Sequence, residues 1–326
     1  FITYSMMIVM AFLMLSAMSI MLPRAGVAAD RIDEVIKTQS SIESPKKPVT
    51  VENHKGVIKF NHVDFRYPAA KEDVLSDIDF VVEPGKTTAI IGSTGCGKST
   101  LVNLIPRFYD VTGGSIELDG HDIRDYSLEE LRELIGFVPQ KGILFSGTIA
   151  SNLRFGKQDA TDDEIARAAE IAQAAEFIEN KKDRYDSPIA QGGANVSGGQ
   201  KQRLAIARAI AKKPRIYVFD DSFSALDMKT DAKLRGALAE VTANASVIIV
   251  AQRISTILHA DQIIVLDDGK IAGKGTHEEL LKNCDVYLQI AQSQLSAKEL
   301  GLDQDVYDEN HIAVTDVADK AGSAMG

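Results

Sequence analysis

Two stretches hold residues whose types and spacing could do phosphate chemistry. "GSTGCGKST", residues 92–100, sets Gly92 and Gly97 around Ser93, Thr94, Gly95 and Cys96, then continues into Lys98, Ser99 and Thr100. In this G-x-x-x-x-G-K-S spacing the glycines let the backbone curl until its N–H groups converge on a phosphate. The lysine then reaches the β- and γ-phosphates, and the serine hydroxyl ligates Mg²⁺. "IYVFDD", residues 216–221, leads an apolar strand into Asp220, whose carboxylate is a second oxygen ligand for the same metal. The two stretches together imply a nucleoside-triphosphate site that works with Mg²⁺. The second acid, Asp221, is as short as the first, although a group acting on the γ-phosphate would gain from a longer arm.

Such a loop needs a strand before it and a helix after it, and "TTAII" and "TLVNLI" supply them in that order. The helix start adds its positive end to the anion site. From residue 57 short β-rich runs follow one another: "VIKFNHVDF", "IDFVV" and "TTAII", the last two joined by the Pro-Gly turn "EPGK". Asp119-Gly120 within "SIELDGHDI" is a hairpin signal. Thr161 with Glu164 forms a capping box at the head of a helix over "DDEIARAAEIAQAAEFI", and Thr276 with Glu279 repeats it. Apolar strands recur at 215–219, 246–250 and 263–266 with helical segments between them. This alternation reads as an α/β layout, a mostly parallel sheet covered on both faces.

The chain has 326 residues, 45% hydrophobic and 25% charged, which is a globular balance with room for two domains. A formal net charge of −10 argues against a nonspecific nucleic-acid binder, so phosphate affinity must be local. Cys96 and Cys284 lie far apart, without disulfide-scaffold or metal-site spacing, which fits a reducing compartment. The first residue is Phe, which reads as a fragment of a longer chain. Residues 1–22 contain no charge and as a helix would be about 33 Å long, enough to cross a bilayer core. "AGVAAD" at 25–30 offers a signal-peptide alternative, but no basic stretch precedes the apolar run. A buried core helix is the bland alternative, and six turns without a polar face argue against it. The expected division is therefore 1–22 as the end of a transmembrane helix, 23–55 as its continuation plus a Pro-punctuated linker, 56–295 as the nucleotide domain, and 296–326 as an acidic, flexible tail.

Between the two phosphate-site stretches stands "VSGGQKQRLAIARAIAKKP", residues 196–214, which resembles the signature of ABC transporter ATPase domains. The resemblance extends over residues 56 to about 295. It implies a phosphate-loop ATPase core with a mostly parallel sheet, an antiparallel β subdomain and a helical subdomain, here preceded by one transmembrane helix. By the same resemblance, Tyr67 in "FRYP" stacks on adenine. Gln140 in "FVPQ" touches Mg²⁺ and couples to the membrane domain, and "SALD", ending in Asp227, is the loop that follows the acidic strand. Ser197, Gly198, Gly199 and Gln200 open a helix and present N–H groups and a hydroxyl to an anion. In the family that anion is ATP held by the opposite subunit, so two domains close head to tail. "MLPRAGVAADRIDEVIKT" looks like the end of the last membrane helix of an exporter half-transporter. This implies a multi-pass cell-membrane protein with its ATPase domain on the cytoplasmic side. Soluble members that act on ribosomes or in DNA repair are opposed by the apolar amino terminus and the acidic balance.

Three single positions depart from the family pattern, as does "AQGGANVSGG", which lacks the acidic stretch usual before the signature. The family's hydrolysing site has Glu after the strand-ending Asp, which in the family polarises the attacking water, and His after the strand "SVIIV", which in the family contacts the γ-phosphate, whereas this chain has Asp221 and Gln252. Val196 stands where Leu is usual. Asp221 is shorter than Glu by one methylene, and a misplacement of about 1 Å can cost on the order of 10²-fold. Gln252 can hydrogen-bond but cannot carry a proton as His does. The expectation is a site that binds ATP and turns it over poorly, paired through its near-intact signature with a different subunit that supplies Glu and His. This pattern resembles the degenerate-site half of heterodimeric bacterial drug or lipid exporters. Tolerated drift at these positions and a homodimer are the alternatives.

Overall fold

The computed structural model describes residues 1–295 and consists of two units, Phe1–Glu43 and the chain from Ser44 onward. The acidic-tail expectation for 296–326 lies outside the described residues.

The first unit is a single helix, α1 (Ile2–Lys37), which runs through Pro23 without interruption. None of its residues is buried, and its apolar side chains from Phe1 to Leu22 are all exposed. It is long and apolar enough, by length and composition, to cross a membrane. The expected continuation past Pro23 belongs to this same helix, which ends where Thr38 turns extended and donates its hydroxyl to Glu34 O at 2.7 Å.

In the second unit the β-rich runs sort into two sheets. The strands β1 (Ile58–Phe65), β2 (Leu75–Val82), β4 (Gly113–Leu118) and β5 (His121–Asp122) form an antiparallel sheet in the order β2-β1-β4-β5. Its register pairs Phe60 with Phe80, whose rings stack at 4.4 Å. Asp119 and Gly120 both adopt positive φ and close the β4–β5 hairpin. The Asp119 carboxylate also accepts the N–H groups of Lys55, Gly56 and Val57, which ties the linker to this sheet.

The second sheet is made of β3 (Thr87–Gly92), β6 (Ile135–Val138), β9 (Ile216–Asp220), β10 (Ser246–Val250), β11 (Gln262–Asp267) and β12 (Lys270–Gly275). Its order is β12-β11-β3-β10-β9-β6, parallel throughout except for β12 at the edge. A two-stranded antiparallel ladder pairs β7 (Gly147–Thr148) with β8 (Pro188–Ile189). Every residue of β9 and β10 is buried, which explains why these strands read as unbroken apolar runs. β2 and β3, joined by "EPGK", fall in different sheets, so that turn passes the chain between layers.

One face of the parallel sheet packs with the antiparallel sheet and α2 (Lys98–Leu104) around Phe60, Phe65, Leu101 and Val218. Near it lies α3 (Leu128–Glu133). The other face packs against a helical layer: α4 (Ile149–Arg154), α5 (Asp162–Ile171), α6 (Ala175–Glu179), α7 (Gly198–Lys212), α8 (Met228–Thr242) and α9 (Ile254–Ile257). The last helices, α10 (His277–Asn283) and α11 (Asp285–Gln292), return to β11 and β12.

The capping boxes at Thr161/Glu164 and Thr276/Glu279 form as read. The single helix expected over 162–178 is instead two. Gln173 turns left-handed, Ala174 N–H bonds to Ala169 O at 2.7 Å, and α6 starts afresh. No Gly or Pro marks this break. Arg203 on α7 stabilises it by donating to the freed Gln173 carbonyl at 2.8 Å, a contact from outside the local sequence.

Candidate nucleotide-binding site

The parallel register brings the carboxyl ends of β3, β9 and β10 side by side, with Val250 paired to both Ile90 and Asp220. In open α/β sheets, ligands settle beyond these ends. The loop after β3 is tightly built. A Cβ on Gly92 would lie 2.1 Å from Leu266 O, so the loop can pass β11 only without a side chain there. Gly97 has φ +100 and opens α2 in a conformation that L side chains rarely adopt. Lys98 Nζ folds over the loop and donates to Gly92 O at 2.8 Å and Ser93 O at 2.6 Å. Its ammonium thus lies across the mouth of the curl, where phosphate oxygens would replace those carbonyls.

Ser99 Oγ donates to Asp220 Oδ1 at 3.1 Å. A hydroxyl and a carboxylate at this separation are the hard oxygen pair that Mg²⁺ takes, so the residues present fit the metal. Burial pushes the Asp220 carboxyl above its ordinary range; the Ser99 hydrogen bond opposes this and neighbouring Asp221 adds to it. The loop, Gln140, Asp220, Asp221 and Gln252 line one cavity of about 240 Å³. Roomier cavities lie elsewhere, but they lack this convergence of phosphate and metal ligands.

Asp221 is the hub of the site's far side. It is buried with φ 45, and its N–H bonds to Val250 O at 3.0 Å. Its Oδ2 accepts two amides, Gln252 Nε2 at 2.7 Å and Gln140 Nε2 at 3.1 Å. An ionised carboxylate only accepts, so both glutamines must turn their NH₂ groups inward. Oδ1 remains for any further donor. The three residues meet although Gln140 is 81 positions from Asp221 and Gln252 is 31.

Tyr67 is half-buried beside the loop, its hydroxyl 3.0 Å from Thr100 Oγ1. Tyr109 stands edge-on to it at 5.2 Å, a second aromatic that nothing in the local sequence flagged. Gln202 was also missed. It accepts from Gly142 N at 2.9 Å and donates to Pro139 O at 3.2 Å, buttressing the Gln140 loop from both sides.

Ser197 is the N-cap of α7 and forms a capping box with Gln200, whose N–H reaches Ser197 Oγ at 3.3 Å and whose Oε1 accepts Ser197 N–H at 3.1 Å. The box uses one lone pair and leaves the hydroxyl proton and the Gly198 and Gly199 N–H groups to face an anion. Within the chain these residues do not line the phosphate-loop cavity. Asp227 caps α8, accepting Thr230 N–H at 2.9 Å and the Thr230 hydroxyl at 2.7 Å, and these bonds hold its carboxyl below the usual range.

Beyond Gln140 opens an apolar groove of about 340 Å³ lined by Phe108, Phe137, Ile143, Phe145, Phe155 and Arg208. Ile143, Phe145 and Phe155 are exposed. Arg208 stacks over Phe145 at 5.2 Å and Phe155 at 5.6 Å, and burial pushes its pKa down to about 10.

Residues 75–224 match the family model described as ABC transporter. The chain is 48% identical over 305 residues to an uncharacterized ABC transporter ATP-binding protein of Mycobacterium tuberculosis, covering 92% of this chain and 52% of that protein. It is 46% identical over 250 residues to ATP-binding cassette sub-family B member 6 of Xenopus tropicalis, covering 77% of this chain and 29% of that protein. Among solved structures it resembles a bacterial Atm1-family ABC exporter with ATP bound, with a TM-score of 0.79 and 35% identity over 84% of this chain and 48% of that one. The chain thus spans about half the length, or less, of these relatives. On these matches, residues 75–224 lie in an ABC transporter ATP-binding domain whose fold is that of an exporter-type neighbour.

Proposed function

We propose that this domain binds Mg·ATP and powers export across a membrane by closing head to tail on a second such domain, while hydrolysing slowly at the site it builds itself. Lys98 and the loop amides hold the phosphates, and Ser99 and Asp220 hold the metal. Tyr67, edge-supported by Tyr109, stacks on the base. The metal supplies charge neutralisation on the phosphates. Ser197, Gly198 and Gly199 serve nucleotide bound by the other subunit, which makes dimerisation part of the mechanism. The apolar helix α1 and the exporter relatives support a membrane setting. The exposed groove beyond Gln140 suits a segment of the membrane-embedded portion.

The observation that carries the slow-site reading is the short Asp221 carboxylate with two glutamine amides on one oxygen. A water aligned for attack must be accepted by a carboxylate oxygen, and one of the two is already occupied by both amides. Neither Gln140 nor Gln252 can take up the proton. The reading favours a heterodimer whose other half supplies Glu and His, with a regulatory, ATP-holding role for this chain as the alternative.

The test is steady-state ATP hydrolysis by the full-length subunit, alone and mixed with a candidate partner half-transporter that carries Glu and His at these positions, each with and without Asp221→Asn. Turnover by the mixture that changes less than about 2-fold on substitution supports the slow site. Activity of the subunit alone that falls 100-fold or more makes Asp221 the catalytic group and a homodimer the simpler assembly.

A further inference from the structure

The loop between β10 and α9, which carries Gln252, is gripped by a residue far away in sequence. Gln294 follows α11 and reaches back across the domain. Its Oε1 accepts the Ile254 N–H at 2.8 Å, and its Nε2 donates to Gln252 O at 2.9 Å. The two bonds straddle Arg253, so one planar amide holds the loop's main chain on both sides. Only one amide orientation satisfies both, and it uses the donor and acceptor halves at once. Meanwhile the Gln252 side chain donates to Asp221 Oδ2 at 2.7 Å. The loop's backbone is therefore set by the end of α11 and its side chain by the end of β9.

Nothing in α11 itself needs this side chain. The helix closes with main-chain bonds from Ser293 N–H to Gln289 O at 3.1 Å and from Gln294 N–H to Ala291 O at 3.1 Å. Its anchor is elsewhere, in fully buried Tyr287, whose hydroxyl pairs with His277 Nδ1 at 2.7 Å. Gln294 is exposed, so it adds no core packing. Its two bonds serve the loop.

We propose that Gln294 is a positioning residue for the γ-phosphate side of the site: it fixes the main chain on either side of Arg253 so that the Gln252 amide is delivered to the site at a set depth. This rests on the reading of residues 92–100 as the nucleotide site. The residue acts only through Gln252. Losing it should therefore weaken recognition of a third phosphate and leave a diphosphate untouched.

The experiment measures binding of ADP and of an ATP analogue with a β,γ-imido bridge to the full chain in detergent, which separates binding from turnover. The variants are Gln294→Ala, Gln294→Glu, Gln252→Ala, the Gln294→Ala/Gln252→Ala double, and Lys98→Ala. Gln294→Ala is expected to cut the preference for the imido analogue over ADP by about 3- to 10-fold, the worth of one neutral hydrogen bond, with ADP affinity unchanged. Gln294→Glu keeps the acceptor for Ile254 but sets a carboxylate oxygen against the Gln252 carbonyl, so its fall should be at least as large. The double variant should be no worse than Gln252→Ala, because the two residues form one unit. Multiplying effects, or equal losses for both nucleotides, overturn the positioning role. If Lys98→Ala still binds both nucleotides at parental affinity, the site assignment beneath the proposal has failed instead.

Discussion

Asp220, proposed above as a metal ligand, is held in the fold at a cost. Burial holds its pKa above that of the unfolded chain, so the folded state retains the proton to higher pH. Stability from this group therefore falls as pH rises from the unfolded carboxyl value through the raised folded one, and it stays lower at neutral pH. Asp220→Asn removes that penalty and keeps a partner for Ser99. The nucleotide-free protein should melt about 2 to 4 °C higher at pH 7, with the gain shrinking as pH is lowered through the window, and Mg·ATP should no longer raise the melting temperature. Thermal scans at several pH values, with and without Mg·ATP, check both halves. An unchanged response to Mg·ATP would remove Asp220 from the metal site.

Among the elements, the phosphate loop is the one whose shape is set by space as much as by charge. At Gly97 a Cβ would sit 2.8 Å from Leu75 Cδ2, in a backbone conformation already strained for other residues. Gly97→Ala should destabilise by about 1 to 3 kcal/mol and weaken ATP binding at least 10-fold, because α2 could not start where its N–H groups face the phosphates. Denaturant unfolding and nucleotide titration check it, and wild-type affinity would mean that the loop is not the anion cradle. This element was legible in the sequence because spacing, preceding strand and following helix are all local. The break at Gln173 was not, because its determinant, Arg203, comes from another helix.

For the molecule as a whole, the Ser197 helix start and the phosphate loop do not share a cavity within one chain. On the proposed reading both face nucleotide phosphates, and a second copy or a related subunit completes each site. Mg·ATP should therefore shift the full chain, in detergent, from monomer toward dimer, and Ser197→Arg, which places bulk and charge at the contact, should abolish that shift. Sedimentation velocity with and without Mg·ATP reads this directly. A dimer that persists without nucleotide and in the variant would mean that assembly rests on other surfaces.

Spacing along the chain was enough to read the phosphate-loop stretch between its strand and helix, the hairpin at Asp119-Gly120 and the alternation that yields a parallel sheet. Each depends on residues a few positions apart, or on periodicities set by backbone geometry. The joining of Gln140, Asp221 and Gln252 into one hydrogen-bonded unit, the grip of Gln294 on the Gln252 loop and the splitting of β2 and β3 into separate sheets were beyond such reading. These depend on strand order and register, which bring residues tens of positions apart within hydrogen-bonding distance and are settled only when the whole core packs.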